Sequence, residues 1–256
     1  MQQGSIKYFR TCSLTYEDDT ILLLQPNEKE KEKEKEKEKE KTPQKHLLCI
    51  HPHGIFCMGW AVLFGRQELS HVKFCFSTAL YNSPFFRVLA LLVGNPAPAD
   101  KKTFQKLMSA GHSLALIPGG FESASISCST QPRVHVSKKG FIKYALVHGY
   151  ALVPAYVFNE HKCYDNMQGG FSFRFWLNSF GLPAIVPFGK WCCPMLPKSA
   201  VDLHVVVGKP LQLPELGQEV SREMVNKWHG KYVKELVALY DRNKSKYGEK
   251  KELEVW

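Results

Sequence analysis

No apolar run of about 18 residues or more, the length that crosses a bilayer as a helix, occurs anywhere in the chain. The nearest candidate, Phe85 to Val93, contains Arg87 and stops at Gly94. The N-terminus also lacks the apolar centre of a signal peptide. Eight cysteines are present without a Cys-x-x-Cys pair. Cys192 and Cys193 are adjacent, which disfavours an ordinary disulfide between them. Reduced thiols facing the cytosol are therefore expected, most of them serving as small apolar core residues. No Gly-x-Ser-x-Gly turn is found, so a serine hydrolase of that type is disfavoured. Zinc-finger spacings and RNA-binding signatures are missing too, which makes nucleic acid the weakest partner class.

What is present is an ordinary globular composition with an excess of base. Apolar residues make up 44% of 256, and the formal net charge is +10. Glu and Lys alternate from Glu28 to Lys41 and cancel, so the excess lies in the rest of the chain. That tract has no apolar face to pack, and its like charges at i,i+4 oppose its opposite charges at i,i+3. We expect a disordered insert over 28–45, separating an N-terminal segment (1–27) from a domain over 46–256. Lys101, Lys102, Arg133, Lys138, Lys139 and Lys143 form basic clusters suited to phosphate groups or anionic lipid.

From Leu47 onward, strand-like and helix-like segments alternate. Leu47–Ile50, Leu114–Ile117, Ala151–Val157 and Val201–Val207 read as buried strands. Asp100 is placed to cap a helix running to Ala110. Phe141, Ile142, Ala145 and Leu146 form a helical stripe ending at Gly149, and a long helix starts near Ser221 and closes at Gly248. This order predicts an α/β fold, a mixed sheet with helices on both faces.

The richest motif is His51-Pro52-His53-Gly54, which displays two imidazoles at the end of a strand. Imidazole is the usual general base near neutral pH. A second turn, Ile117-Pro118-Gly119-Gly120-Phe121-Glu122, follows another strand. Its glycines expose backbone N–H groups able to bind an anion or oxyanion, and a carboxylate such as Glu122 can orient an imidazole and stabilise its cation. Lys138-Lys139-Gly140-Phe141-Ile142-Lys143 is a basic helix start. Val153-Pro154-Ala155-Tyr156 reads as a strand broken by proline.

These segments, in this order, resemble the type-2 diacylglycerol acyltransferase family, which includes monoacylglycerol and wax-alcohol acyltransferases. The resemblance also covers Asn82-Ser-Pro-Phe-Phe-Arg87, Leu152-Val-Pro154, Leu196-Pro-Lys198, Val207-Gly-Lys-Pro210 and Leu253-Glu-Val255. It implies a glycerolipid-acyltransferase-like fold and acyl transfer from acyl-CoA to a lipid hydroxyl. No metal and no cofactor is implied, acyl-CoA being a substrate. In the wider superfamily a His-x4-Asp motif supplies the base and its orienting carboxylate. Here the positions five beyond His51 and His53 are Phe56 and Met58, so Glu122 becomes the candidate partner. The superfamily's phosphate-binding Arg has no counterpart in the Gly119–Glu122 turn, which favours an uncharged acceptor.

The resemblance then implies these roles. His53 is the base, with His51 orienting or replacing it. Gly54, Gly119 and Gly120 supply the oxyanion donors and the turns. Lys138, Lys139, Lys143 and Arg133 meet the phosphates of acyl-CoA, and Phe56, Phe85, Phe86 and Phe141 line the acyl channel. Diacylglycerol is the default acceptor, with monoacylglycerol and long-chain alcohols as alternatives. The expected place is the cytosolic face of the endoplasmic reticulum membrane or a lipid droplet; a homo-oligomer is compatible with this. The family's N-terminal apolar hairpin has no counterpart in these residues. Either the sequence is truncated or membrane contact falls to Phe85–Val93 and Trp60 with basic neighbours. Two rivals stand beside this reading. A metal-dependent hydrolase would use His-x-His as ligands but needs a third, and a non-catalytic lipid-binding relative would have no use for His51, His53 and Glu122.

Overall fold

The computed structural model describes residues 8–18 and 45–256. The expected insert lies outside the described residues apart from Lys45. Seven strands form one mixed sheet. They are β1 (Thr11–Tyr16), β2 (His46–His51), β3 (Lys73–Phe76), β4 (Pro96–Pro98), β5 (Leu114–Leu116), β7 (Ala151–Phe158) and β10 (Asp202–Val207), in the spatial order β1-β10-β7-β2-β5-β3-β4. The run from β7 to β4 is parallel throughout. β10 is antiparallel to β7, and β1 is parallel to β10. The N-terminal segment is thus not separate from the domain: Thr11–Tyr16 extends the sheet edge.

Every residue of β2 and β7 is buried. Both strands sit inside a parallel run covered on two faces, which is why they read as continuous apolar stretches. Successive side chains still go to opposite faces. Leu48 and Ile50 join Trp60, Leu63 and Phe64 of α1 (Met58–Phe64). Leu47 and Cys49 join Phe104 and Met108 of α4 (Lys101–Ser109), Phe141 and Ile142 of α6 (Gly140–His148) and Tyr232 of α8 (Arg222–Asn243). Each such aliphatic side chain contributes about 1.5–3 kcal/mol by leaving water. Helices on both faces match the sequence expectation.

Local signals are kept as well. Asp100 Oδ1 accepts the Thr103 N–H at 2.9 Å, and Gly149 ends α6 with φ +67°. Ser221 caps α8, and a 3-10 turn after it ends at Gly248. Two expectations change. Pro154 does not break β7, because the ladder to β2 continues through the Cys49–Pro154 pair and the Pro154 carbonyl accepts from Gly208 at 2.8 Å. Trp60 is not a surface anchor: it is 6% exposed and packs edge-on against Phe74 and Phe76.

The remaining elements flank the sheet. α2 (Thr78–Asn82) leads to α3 (Pro84–Val93), and α5 (Gly120–Ile126) leads to β6 (Arg133–Val134). β8 (Asp165–Asn166) pairs with β9 (Pro187–Phe188) on either side of α7 (Phe171–Ser179), and β11 (Glu254–Val255) pairs with β6. Among the described residues, no helix is long and apolar enough to cross a membrane.

Candidate active site

Register brings the two glycine turns level. Cys49 of β2 pairs with Leu116 of β5, and four residues further along each chain stand His53 and Gly120. Both turns leave the carboxyl ends of adjacent parallel strands, where open α/β sheets place their sites.

The turn after β2 is sharp. Gly54 has φ +63° and Cys57 φ +53°, and α1 begins at once. The His53 N–H donates to Ser123 Oγ at 3.3 Å, tying this turn to α5. The half-buried His53 ring has its Nδ1 2.9 Å from the Gly54 carbonyl. A carbonyl only accepts, so Nδ1 carries the proton and Nε2 keeps the lone pair of a base. Cys57 Sγ lies 3.3 Å from the ring nitrogens. Burial is the largest influence on His53 and depresses its pKa; the Gly54 bond and the Glu122 charge oppose this, and Lys138 adds to it. The ring is therefore neutral at pH 7.

The second turn faces it from α5. A Cβ on Gly119 would stand 2.5 Å from that of Ser123, so only glycine lets the chain fold back there. Gly120 has φ +54°. Its N–H donates weakly to the Ile117 carbonyl at 3.4 Å. Glu122 does not bond His53. Its Oε2 pairs with Lys138 Nζ at 2.6 Å. Burial is the largest single influence and raises the Glu122 carboxyl, but the Lys138 bond and charge, a backbone N–H and the nearby His135 together outweigh it and hold the group below its usual value. The direct orienting partner of His53 is thus the Gly54 carbonyl, with Glu122 acting through its field. Buried His135 also faces this carboxylate, and its pKa is lowered, mostly by burial.

His51 is placed otherwise. It is 1% exposed, and its Nε2 meets the Tyr232 hydroxyl of α8 at 2.9 Å. Burial depresses its pKa to about 3. The hydrogen bond of the His51 ring goes to α8 and not to His53.

The expected acyl-CoA cations divide. Lys138, Lys139 and Lys143 are all exposed, Lys138 pairing with Glu122 at 2.6 Å and Lys139 donating to Asn226 of α8 at 2.8 Å. Arg133 is committed elsewhere, to Glu254 of β11 at 2.6 Å and to Gln168 at 2.8 Å, with its guanidinium over Trp256. The expected channel phenylalanines do not share one wall. Phe56 packs edge-on against Tyr164, Phe86 against Phe76, and Phe141 against Tyr232. Phe85 is 83% exposed. Sequence spacing carries no information about which face a lone aromatic takes: Phe56 and Phe86 lie against one core cluster, Phe141 belongs to the other, and Phe85 faces outward.

Sequence reasoning missed Ser123, Cys57 and Glu160. Glu160 lies just past β7, is 2% exposed, and burial pushes its carboxyl up to about 7 although two amide bonds oppose this. A carboxylate directly beyond a buried strand was the signal that would have found it. Among the described residues, no three His, Cys, Asp or Glu side chains are grouped as a metal site requires.

Two exposed apolar faces adjoin the site's supports. α3 exposes Val88, Leu89, Leu91 and Leu92 beside Phe85. α7 packs on α5 through Asn178 and Ser125 and exposes Phe173, Trp176 and Phe180.

Comparison with known proteins follows the same lines. The sequence profile of the family described as diacylglycerol acyltransferase matches residues 33–256. The chain is 29% identical over 238 residues to acyl-CoA wax alcohol acyltransferase 2 of Homo sapiens, covering 83% of this chain and 70% of that one. It is 28% identical to diacylglycerol O-acyltransferase 1 of Eremothecium gossypii, covering 81% of this chain and 49% of the relative. For diacylglycerol O-acyltransferase 2 of Danio rerio the identity is 26%, over 80% of this chain and 62% of the relative. The chain thus spans between 49% and 70% of the length of these relatives. Among solved structures, a 1-acyl-sn-glycerophosphate acyltransferase, PlsC, from Thermotoga maritima aligns with a TM-score of 0.47 at 11% identity, covering 87% of this chain and 70% of that one.

Proposed function

This chain belongs to the diacylglycerol acyltransferase family, and on that premise we propose that it transfers an acyl group from acyl-CoA to the hydroxyl of diacylglycerol, yielding triacylglycerol. The observation that carries this reading is His53 itself. It is a neutral imidazole with Nδ1–H fixed on Gly54 and the Nε2 lone pair unprotonated, and its backbone N–H donates to Ser123 Oγ of α5.

His53 Nε2 takes the proton of the acceptor hydroxyl, and the alkoxide oxygen bonds to the thioester carbonyl carbon. Backbone donors of the Gly119–Gly120 turn and the Lys138 ammonium face the developing oxyanion, where preorganised positive charge has most effect. The C–S bond then breaks. CoA leaves as a thiolate, which needs little help from an acid, and the imidazolium returns its proton to solvent or to that thiolate. Glu122 stabilises the imidazolium at a distance, since its charge raises the His53 pKa. Lys139 and Lys143 attract the CoA phosphates.

A neutral lipid acceptor dissolves in membranes, so the site must reach one. The exposed aromatic and aliphatic faces of α3 and α7 suit the acyl boundary of a bilayer. We place the enzyme on the cytosolic face of the endoplasmic reticulum or on lipid droplets, in keeping with its free cysteines. The likeness to a wax alcohol acyltransferase, at 29% identity, supports one second reading, with a long-chain alcohol as acceptor.

The test is direct. The full chain is expressed in a host unable to make neutral lipids, and membranes are given labelled acyl-CoA with diacylglycerol, monoacylglycerol or hexadecanol. Triacylglycerol formed by the wild type and absent with His53→Ala supports the proposal. Wax ester alone moves the acceptor to an alcohol. No product from a well-expressed, membrane-bound chain overturns the catalytic reading.

A further inference from the structure

Glu160 is a buried carboxylate for which the proposed reaction has no use. Its Oε1 accepts the Met58 N–H at 2.8 Å and its Oε2 the Gly59 N–H at 2.7 Å. These are the first two amides of α1, donors that no helix can satisfy from within. Nothing local satisfies them either. Cys57, at the cap, makes no side-chain bond to the helix, and the first turn holds no acid.

The same side chain bears on the other end of the turn. A Cβ on Gly54 would lie 2.4 Å from Glu160 Oε1. A Cβ on Gly59 would lie 2.4 Å from a methyl of Val157 in β7. Glycine at both positions lets the Gly54–Gly59 segment rest directly on the end of β7, with one carboxylate between its ends.

The base of this brace is itself fixed. Asn159 has φ +64°, its Nδ2 donates to the Asp202 carbonyl at 2.7 Å, and its Oδ1 accepts from Lys162 at 2.8 Å. The Cys163 N–H donates to the Glu160 carbonyl at 3.1 Å. At the far end, Gly54 offers the carbonyl that holds His53 Nδ1 at 2.9 Å. Wherever that carbonyl moves, the ring follows.

We infer that Glu160 is a positioning residue for His53: by gripping the Gly54–Gly59 turn through two amide bonds and contact with Gly54, it sets the Gly54 carbonyl that orients the ring. This rests on the reading of His53 as the base of acyl transfer. A carboxylate is the side chain the geometry requires, because both oxygens must accept. Glutamine has nearly the same shape but would turn an NH2 group against one of the two N–H groups.

Two measurements test this, both on the full chain. In the kinetic one, Glu160→Gln lowers kcat about tenfold or more, as misplacement of a reacting group does, and leaves KM for acyl-CoA within about twofold. In a His53→Gln background the same change costs less than about twofold, because no ring remains to be positioned. An equal loss in both backgrounds overturns the inference, since it marks a structural role, and so does full activity of Glu160→Gln.

The second measurement does not depend on turnover. Ring nitrogen spectra of the histidine-labelled chain should show His53 shifted in Glu160→Gln and His51 unmoved, with His53 identified by its loss in His53→Gln. An unshifted His53 overturns the inference. If the wild type shows no acyl transfer but His53 shifts, the positioning stands and only the functional reading fails. Wild-type hydrogen exchange covers the case in which Glu160→Gln does not fold. Met58 and Gly59 amides protected like those of the α1 interior support the brace, and amides exchanging like an open loop overturn it.

Discussion

His51 Nε2 lies 2.9 Å from the Tyr232 hydroxyl, joining the last residue of β2 to the middle of α8 inside the apolar core. This contact leads us to expect a stability role for His51. Tyr232→Phe leaves a buried imidazole nitrogen without its partner and should cost about 1–3 kcal/mol of stability, with kcat changed less than about threefold. Denaturant unfolding beside steady-state assays checks it; a large loss of kcat with unchanged stability would return His51 to the chemistry.

The same burial sets an acid sensitivity. The His51 pKa falls from 6.5 in the unfolded chain to about 3 in the fold. Between those values the unfolded state binds more protons, so stability drops as pH falls below 6.5. For this one group the difference between pH 7 and pH 5 is about 2 kcal/mol. A His51→Phe variant should lack that share of the slope in urea titrations at the two pH values. A slope identical to the wild type would show that other groups carry it.

His53 behaves differently. His53→Gln should lower kcat by about a hundredfold to ten-thousandfold while keeping the fold. Because burial holds the His53 pKa below 6.5, the base form persists at mildly acid pH, and the acid limb of kcat/KM must lie below that value. Lys138→Gln removes a charge that lowers this pKa and releases Glu122, which raises it, so the limb should move to higher pH. A limb that stays in place would detach Lys138 from the site.

The basic residues should separate in kinetics. Lys143→Glu, on an exposed position, is expected to raise KM for acyl-CoA severalfold with little change in melting temperature. Arg133→Ala should do the reverse, because its guanidinium ties β6 to Glu254 of β11 and covers Trp256. Loss of that half-buried pair and its packing is expected to lower stability by about 1–3 kcal/mol. A KM effect from Arg133→Ala with unchanged stability would restore it to acyl-CoA binding.

Membrane contact is checked on α3. Phe85 and Leu92 are 83% and 79% exposed, so Phe85→Glu with Leu92→Glu removes little packing. The pair should weaken sedimentation with phosphatidylcholine–phosphatidylserine vesicles and leave the melting temperature near that of the wild type. Trp60→Ala, by contrast, should cost about 3–5 kcal/mol as a core deletion. Unchanged vesicle binding in the α3 variant would shift the contact to the α7 face.

The fold was legible where its causes are local. Leu47–Ile50 and Ala151–Val157 announce buried strands because both sides of a covered parallel sheet must be apolar. Asp100 and Ser221 announce helix starts because their side chains cap the next turn. Thr11–Tyr16 was not legible as an edge strand, since its pairing with Asp202–Val207 spans most of the chain. At the site, the sequence pointed to His51, His53, Gly119, Gly120 and Glu122 as a set, because strand ends followed by glycine turns advertise themselves.

What the sequence by itself determined is therefore the element order, the two glycine turns and the family they resemble, all written in short-range patterns of apolar, capping and turn residues. Tertiary structure decided what each functional group touches. It turned His51 into the core and left His53 at the turn, gave Arg133 to Glu254 and Glu122 to Lys138, and set Glu160 under α1. The physical reason is one of range. Periodicity and turn propensity act over a few residues, whereas burial, tautomer and ion pairing depend on groups distant in the chain, 181 positions for His51 and Tyr232.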